Sequence, residues 1–326
     1  MAITRAMPAL YWSRIASQGP DGYDAVMTAR GAPFIAVDWG TTHLRAFLAD
    51  EGGSILERSS GAEGISSLAG SGFAPALRRV SGCWIDRYPH AAIVMAGMIG
   101  SRNGWLEAPY LDCPASPREL SGRLVAVTVA GERQAHIVPG MKTRNDGVAD
   151  VLRGEETLLF GAGVADGIIV LPGTHCKWAV IEAGRVATFR TYMTGEFYGL
   201  LRDHSLLRLL ATQPEDGGGF ARGLAAAERP GGLLHHAFAA RTAVLDGAMA
   251  GAATLPFLSG LLIGAEIGEA VAGFGAIRAL TLIAGGDLAD GYAEALARRG
   301  IEATVLSPET CFVRGAALIL EQGKLR

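Results

Sequence analysis

Four cysteines in 326 residues are too few to staple a chain of this size, and no two of them stand at CxxC or zinc-knuckle spacing. Cys83, Cys113, Cys176 and Cys311 therefore read as reduced thiols of a cytoplasmic protein, not as a disulfide framework or a metal site. An excess of one charge is missing as well. A net charge of −3, with no basic run and no interleaving of basic and aromatic residues, excludes a nucleic-acid footprint. No apolar stretch reaches membrane-spanning length without a glycine or a charge, so no membrane partner is expected. Residues 1–33 contain Arg5 and Arg14 but lack the apolar run of a secretion signal. They read as a loosely ordered N-terminal extension, marked by Gly19-Pro20-Asp21-Gly22, with Met27 as an alternative start.

What the chain has in abundance is glycine and apolar residues, 45 of the former and 49% of the latter, which describes a large core with many turns. The length favours two domains. One pattern occurs twice. FIAVDWGTTHLRAFLADEGG begins at Phe34, and IIVLPGTHCKWAVIEAGR begins at Ile168. Each is an apolar strand, a Gly-Thr turn, a second apolar strand and a Gly-containing turn, with Gly40-Thr41 in register with Gly173-Thr174. A Gly-Thr turn offers backbone N–H groups and a hydroxyl where phosphate can come close. Two such turns facing each other would hold a nucleotide's phosphates between two lobes. The first copy alone carries an acid, Asp38, where the second has Leu171. That asymmetry suits one metal–phosphate site.

Periodicity places strands at Phe34–Val37, Leu44–Ala49, Ser54–Arg58, Ala91–Met95, Leu124–Val129 and His136–Val138, and a helix at Phe73–Tyr88. Residues 101–120 read as loop. The second half begins near Asp146, with a helix expected over Val151–Phe160, the second hairpin, and a third strand at Arg185–Thr191. Helices follow at Gly199–Ala211, Phe238–Thr254 and Gly260–Val271, the last two with small residues suited to close packing. Glu215–Gly219 reads as a flexible turn. Leu280–Ala284 is a strand leading through Gly285-Gly286 to a helix from about Leu288 to Arg299. A strand at Glu302–Leu306 and a helix at Phe312–Glu321 close the chain. Each half is thus a meander followed by alternating strands and helices, a mixed α/β sheet flanked by helices, with the ligand cleft expected between them.

These residues resemble the sugar kinase, heat-shock ATPase and actin superfamily, and within it the 2-dehydro-3-deoxygalactonokinases. VDWGTTHLRAFL (37–48), GMIGSRNGW (97–105), DVLRGEET (150–157), LPGTHCKW (171–178), MTGEFYGLL (193–201), LLIGAEI (261–267) and IAGGDL (283–288) carry the likeness, in order, over nearly the whole chain from residue 34. The resemblance implies an α/β, two-lobed actin-like ATPase (ribonuclease H-like) fold. Its lobes would span residues 34–145 and 146–310, with residues 311–326 a C-terminal helix near the lobe interface. It implies ATP and Mg2+ as cofactors, and phosphorylation of 2-dehydro-3-deoxy-D-galactonate at its 6-hydroxyl in galactonate breakdown. An epimeric acid of the gluconate type, or a non-catalytic sugar-sensing protein of the same fold, stand as alternatives. The partners expected are the sugar acid and ATP, and a homo-oligomer is compatible with the sequence.

Phosphoryl transfer demands positioning and neutralised charge. Asp38 can hold Mg2+ through its waters, or cap its own turn. Gly40, Thr41 and Thr42 would donate to the β- and γ-phosphates, and Arg45 would add charge or lie solvated on its strand. Gly173, Thr174 and His175 form the partner turn. Lys177 alternates outward and reads as surface or site. Asp150, expected at the N-cap of the Val151–Phe160 helix, is the favoured general base, with a plain helix cap as the rival role. Related kinases place that acid seven residues before a helix-ending glycine, whereas Asp150 lies eleven before Gly161, so Glu155 and Glu156 compete. Arg102 is the candidate for the substrate carboxylate, Asn103 for a hydroxyl and Trp105 for stacking on the carbon chain. Thr194 and Glu196, with Tyr198, would close the sugar pocket. Arg153 would pair with Glu156. Gly285 and Gly286 would approach the adenosine or α-phosphate, with Gly264 and Glu266 beside the adenine. His235 and His236 read as surface histidines.

Overall fold

The structure, a computed structural model, describes residues 32–210 and 217–325, so residues 1–31 of the expected extension and Glu215 and Asp216 of the expected Glu215–Gly219 turn lie outside the described residues. Two sheets repeat one topology. In the first, β1 (Phe34–Trp39), β2 (Leu44–Ala49) and β3 (Ile55–Gly61) form an antiparallel meander, and β4 (Ile93–Gly97) lies parallel to β1. Beyond β4 come β7 (Arg133–Ile137), parallel to it, and the edge strand β6 (Val125–Ala130), antiparallel to β7. In the second, β10 (Gly167–Leu171), β11 (Cys176–Glu182) and β12 (Arg185–Tyr192) repeat the meander. There β13 (Ala279–Ile283) and β14 (Glu302–Leu306) follow in parallel. The orders are β3-β2-β1-β4-β7-β6 and β12-β11-β10-β13-β14. Each first strand is central and buried on both faces, which is why Ile35-Ala36-Val37 and Ile169-Val170 are uninterrupted apolar runs.

Helices cover the sheets. Helix α1 (Phe73–Arg87) seals the outer face of the first with Phe73, Leu77 and Trp84. The short α2 (Pro117–Ser121) carries a capping box from Ser116 and Glu119. Helices α3 (Glu155–Gly161) and α9 (Pro308–Gln322) share one hydrophobic core with both sheets, joining Phe34 and Val94 to Ile169 and Phe189 through Leu159, Phe312 and Ile319. Each such buried side chain contributes about 1.5–3 kcal/mol of hydrophobic stabilisation. Helix α4 (Thr194–His204) follows the second meander. Helices α5 (Gly219–Ala227), α6 (Gly232–Leu245), α7 (Thr254–Phe274) and α8 (Gly286–Ala297) complete the second half.

Close packing is expected between the Phe238–Thr254 and Gly260–Val271 helices, but the backbone-on-backbone approach of α7 is to α5, where a Cβ on Gly223 would lie 2.1 Å from the Phe257 carbonyl oxygen. Helix α7 is long and apolar enough to span a bilayer by composition. In the fold its residues Phe257, Leu258, Leu261 and Ile267 are buried against neighbouring helices and the second sheet.

Three local expectations fail for identifiable reasons. Val148–Leu152 is a strand, β9, paired with β8 (Gly140–Asn145), which in turn pairs with β5 (Tyr110–Asp112) inside the segment read as loop. The helix begins only at Glu155, because Gly154 adopts φ 105° and a Cβ there would lie 2.9 Å from the Gly97 Cα. The helix expected across Phe238–Thr254 stops at Leu245, where Asp246 accepts a hydrogen bond from the Ala248 N–H and Gly247 turns the chain at φ 80°. Finally, α4 starts at Thr194, five residues before the expected Gly199, since Gly195 lets the helix rest on the Gly173-Thr174 backbone.

Candidate active site

The first Gly-Thr turn joins β1 to β2 and is held from outside. The Gly40 N–H bonds the His43 carbonyl at 2.9 Å, while Ile65 and Ser66 donate to the Gly40 and Thr41 carbonyls. Thr41 and Thr42 are left exposed above this base. Asp38 pairs across the hairpin with Arg45, whose Nη2 lies 2.5 Å from Oδ2. Burial pushes the Asp38 carboxyl above its usual range, Arg45 pulls it down, and Glu155 pushes it up again. Asp38, Gly40, Thr42, His43 and Arg45 line a cavity of about 660 Å³.

The second turn is braced from α4. Glu196 donates its backbone N–H to the Thr174 carbonyl, and its carboxylate sits 2.5 Å from the His175 Nε2. Gly173, Thr194, Gly195, Tyr198, Phe220, Pro256, Ile263, Asp287 and Tyr292 line a mostly apolar cavity of about 590 Å³. Gly285 and Gly286 begin the helix that forms its far wall. Thr194 and Glu196 therefore stand by the second turn and this cavity.

Glu266 and Gly264 do not line it as expected. Glu266 is 3% exposed and accepts hydrogen bonds from Trp178 Nε1 and Tyr292 Oη, both at 2.8 Å, and from Thr194 Oγ1. It fixes two wall residues from behind. Gly264 packs against Ala227 and Leu224.

Glu155 lies where the two turns approach. Backbones converge there: a Cβ on Gly97 would lie 2.8 Å from the Trp39 carbonyl oxygen and 3.6 Å from Asp38 Oδ1, and Gly154 stacks on Gly97 in turn. Glu155, next along, accepts the Arg153 backbone N–H at 2.9 Å and faces Lys177 Nζ at 3.2 Å. Lys177 also donates to the His175 carbonyl at 3.2 Å. An electrostatic path thus runs from Asp38 to Glu155, and contacts at 3.2 Å carry it on through Lys177 to the second turn. Beneath it Glu156 is fully buried, and burial pushes its carboxyl up to about 8. Its Oε2 accepts the Gly154 N–H at 2.6 Å.

Several expected roles are corrected. Asp150 caps no helix; it lies on β9 and accepts from the Thr191 N–H and Oγ1, both at 2.7 Å, which ties β9 to β12. We expect Asp150→Asn to leave kcat within about threefold while costing roughly 1.5–3 kcal/mol of stability, as loss of hydrogen bonds to a charged group does. Turnover and thermal unfolding measured together check this. Lys177 is 4% exposed, so it is no surface residue. Trp105 stacks on Phe73 with centroids 6.1 Å apart and meets Trp39 edge-on, so its ring belongs to the core of the first sheet. Arg153 does not pair with Glu156. It lies over the Tyr110 ring at 4.2 Å and donates to the Ala108 carbonyl at 2.8 Å. His236 is buried, its Nε2 against the Arg229 and Pro230 carbonyls. Arg102 and Asn103 are exposed on the loop after β4, and their side chains make no hydrogen bond or ion pair among the described residues.

The sequence signal for Lys177 was present but unread. In the duplicated hairpins Arg45 pairs with Asp38, and Lys177 pairs with Leu171. The two cations occupy the same place in the repeat. Lacking an acid on its own hairpin, Lys177 takes Glu155 instead.

No cluster of three metal-ligating side chains occurs among the described residues, which excludes an all-protein metal cage there. One carboxylate beside the cavity over the first turn is a donor set that suits Mg2+, which keeps its waters and takes its other ligands from phosphate.

Comparison with known proteins gives the family. The 2-keto-3-deoxy-galactonokinase family profile matches residues 38–319. The 2-dehydro-3-deoxygalactonokinase of Escherichia coli (strain K12) is 37% identical over 292 residues, covering 89% of this chain and 97% of that protein. A crystal structure from Sinorhizobium meliloti, described provisionally as the same kinase, superposes with a TM-score of 0.81 at 32% identity, covering 88% of this chain and 98% of that one. The activator of the 2-hydroxyisocaproyl-CoA dehydratase from Clostridium difficile shares the fold alone, with a TM-score of 0.51 at 13% identity over 90% of this chain and 96% of that one. The chain belongs to the 2-keto-3-deoxy-galactonokinase family.

Proposed function

We propose that the protein transfers the γ-phosphoryl group of ATP to the 6-hydroxyl of 2-dehydro-3-deoxy-D-galactonate, with Glu155 as the general base. The observation that carries this reading is the Asp38–Glu155–Lys177 path between the two Gly-Thr turns. Residues 34–145 act as one lobe, residues 146–310 as the other, and 311–326 as a helix at their interface. The reaction runs where ATP is made and thiols stay reduced, in the cytoplasm.

Gly40, Thr41 and Thr42 on one side and Gly173, Thr174 and His175 on the other donate to the phosphate oxygens. Asp38, oriented by Arg45, would hold Mg2+. The chemistry such an ion would supply there is neutralisation of charge on the transferring group. The apolar cavity beside Gly285-Gly286 takes the adenosine. Arg102 meets the sugar carboxylate and Asn103 a hydroxyl. Glu155 takes the proton of the attacking hydroxyl. The test is a coupled ADP-release assay over a panel of keto-deoxy sugar acids. ADP should appear with the galactonate-derived acid and not without an acceptor. Release of ADP at the same rate with no acceptor would overturn the reading.

A further inference from the structure

Lys177 carries a positive charge where the fold gives it almost no water: its side chain is 5% exposed. An ammonium so placed needs an anion within reach. On the first hairpin the equivalent cation, Arg45, has Asp38 directly opposite. On the second hairpin the opposite residue is Leu171, so Lys177 turns across to Glu155 on α3. Its remaining contact is the His175 carbonyl, part of the turn that receives phosphate in the reading above. Lys177 thus stands between two anion positions. One is the Glu155 carboxylate, and the other is the space over the second turn.

We propose that Lys177 exchanges partners when ATP binds. In the empty enzyme it neutralises Glu155. When a γ-phosphate enters between the turns, the ammonium moves to that phosphate and frees the carboxylate to accept the sugar hydroxyl's proton. This rests on the kinase reading and adds to it an order of events. The base is held by a cation until a triphosphate is present. A diphosphate, which lacks the γ-group, does not release it. Lys177 would then touch the transferring group directly, while Glu155 competes with the nucleotide for it.

Competition gives the proposal a binding signature that needs no turnover. Removing the Glu155 charge should tighten binding of an ATP analogue with a non-hydrolysable β,γ-imido bridge, because Lys177 no longer has to leave a partner. We expect Glu155→Gln to lower the analogue's Kd by ~10-fold, about the 1.4 kcal/mol of one decade, while the Kd of ADP stays within ~2-fold. Lys177→Met should raise the analogue's Kd by ~10-fold or more and leave that of ADP nearly unchanged. The double variant should match Lys177→Met, since without the cation nothing is left to compete for.

Titration calorimetry of both nucleotides on the wild type and these variants decides the matter. Equal shifts for analogue and ADP in Glu155→Gln, or weaker analogue binding, would overturn the exchange and leave the kinase reading standing. If Lys177→Met does not fold, the Glu155→Gln pair of constants decides alone. Wild-type enzyme that binds neither nucleotide would take down the kinase reading and this inference together.

Discussion

Glu155→Gln should lose about 10²–10⁴-fold in kcat, the usual worth of a positioned general base. The substitution changes charge and little else. A glutamine oxygen can still accept the Arg153 backbone N–H, and the helix still starts after Gly154. Lys177 loses its buried partner, so the unfolding temperature should fall by a few degrees, and intact nucleotide binding is what separates a chemical defect from a folding one. The same variant should bind a non-hydrolysable ATP analogue at least as well as wild type. A catalytic defect with intact nucleotide binding is the pattern of an interaction made only in the transition state. If Glu155→Gln instead turned over within threefold of wild type, the proton would be leaving by another group, and the role would pass from the start of α3 altogether.

Asp150 and Glu155 show what was legible in the sequence and what was not. The duplicated hairpin could be read at once, because buried central strands write themselves as unbroken apolar runs and Gly-Thr turns recur in register. The sheet orders follow from that repeat. The start of α3 could not be read locally. Val148–Leu152 and Glu155–Gly161 together look like one helical stretch. The break is imposed by Gly97 on β4, far away in sequence, whose contact with Gly154 excludes a side chain. That contact separates Asp150, tied to Thr191 on β9, from Glu155, which begins α3 six residues before Gly161. The surface alternative for Lys177 falls for a related reason. Strand alternation assigns its face correctly but assumes that one face is wet, and β11 is buried on both. Trp105, on a loop, and His236, on α6, depart from expectation because burial depends on which ring or carbonyl comes to meet them.

Gly315→Ala should be among the most damaging single-methyl changes in the described residues away from the chemistry. A Cβ on Gly315 would lie 1.8 Å from the Thr157 carbonyl oxygen, and one on Gly161 would lie 1.7 Å from that of Cys311. Helices α3 and α9 therefore cross backbone on backbone. Neither obstructing atom belongs to a flexible side chain, so relief requires the helices to part by more than an ångström. Both are embedded in the core shared by the two sheets, with Leu159 and Phe312 fully packed. Overpacking of this kind costs about 1–3 kcal/mol where side chains can yield, and more where backbone blocks the way. At about 2–4 °C per kcal/mol for domains of this scale, Tm should fall by roughly 10 °C. Because Glu155 begins α3, any surviving fold should also lose kcat with little change in nucleotide Kd. Gly199→Ala is the matched control, since nothing lies within 4 Å of the added methyl in α4. Alanine's helix propensity there should leave Tm unchanged or slightly raised. Scanning calorimetry of the two variants side by side decides the point. A Gly315→Ala protein that melts with wild type would mean that α3 and α9 do not cross this closely, and that the helix holding Glu155 is set by other contacts.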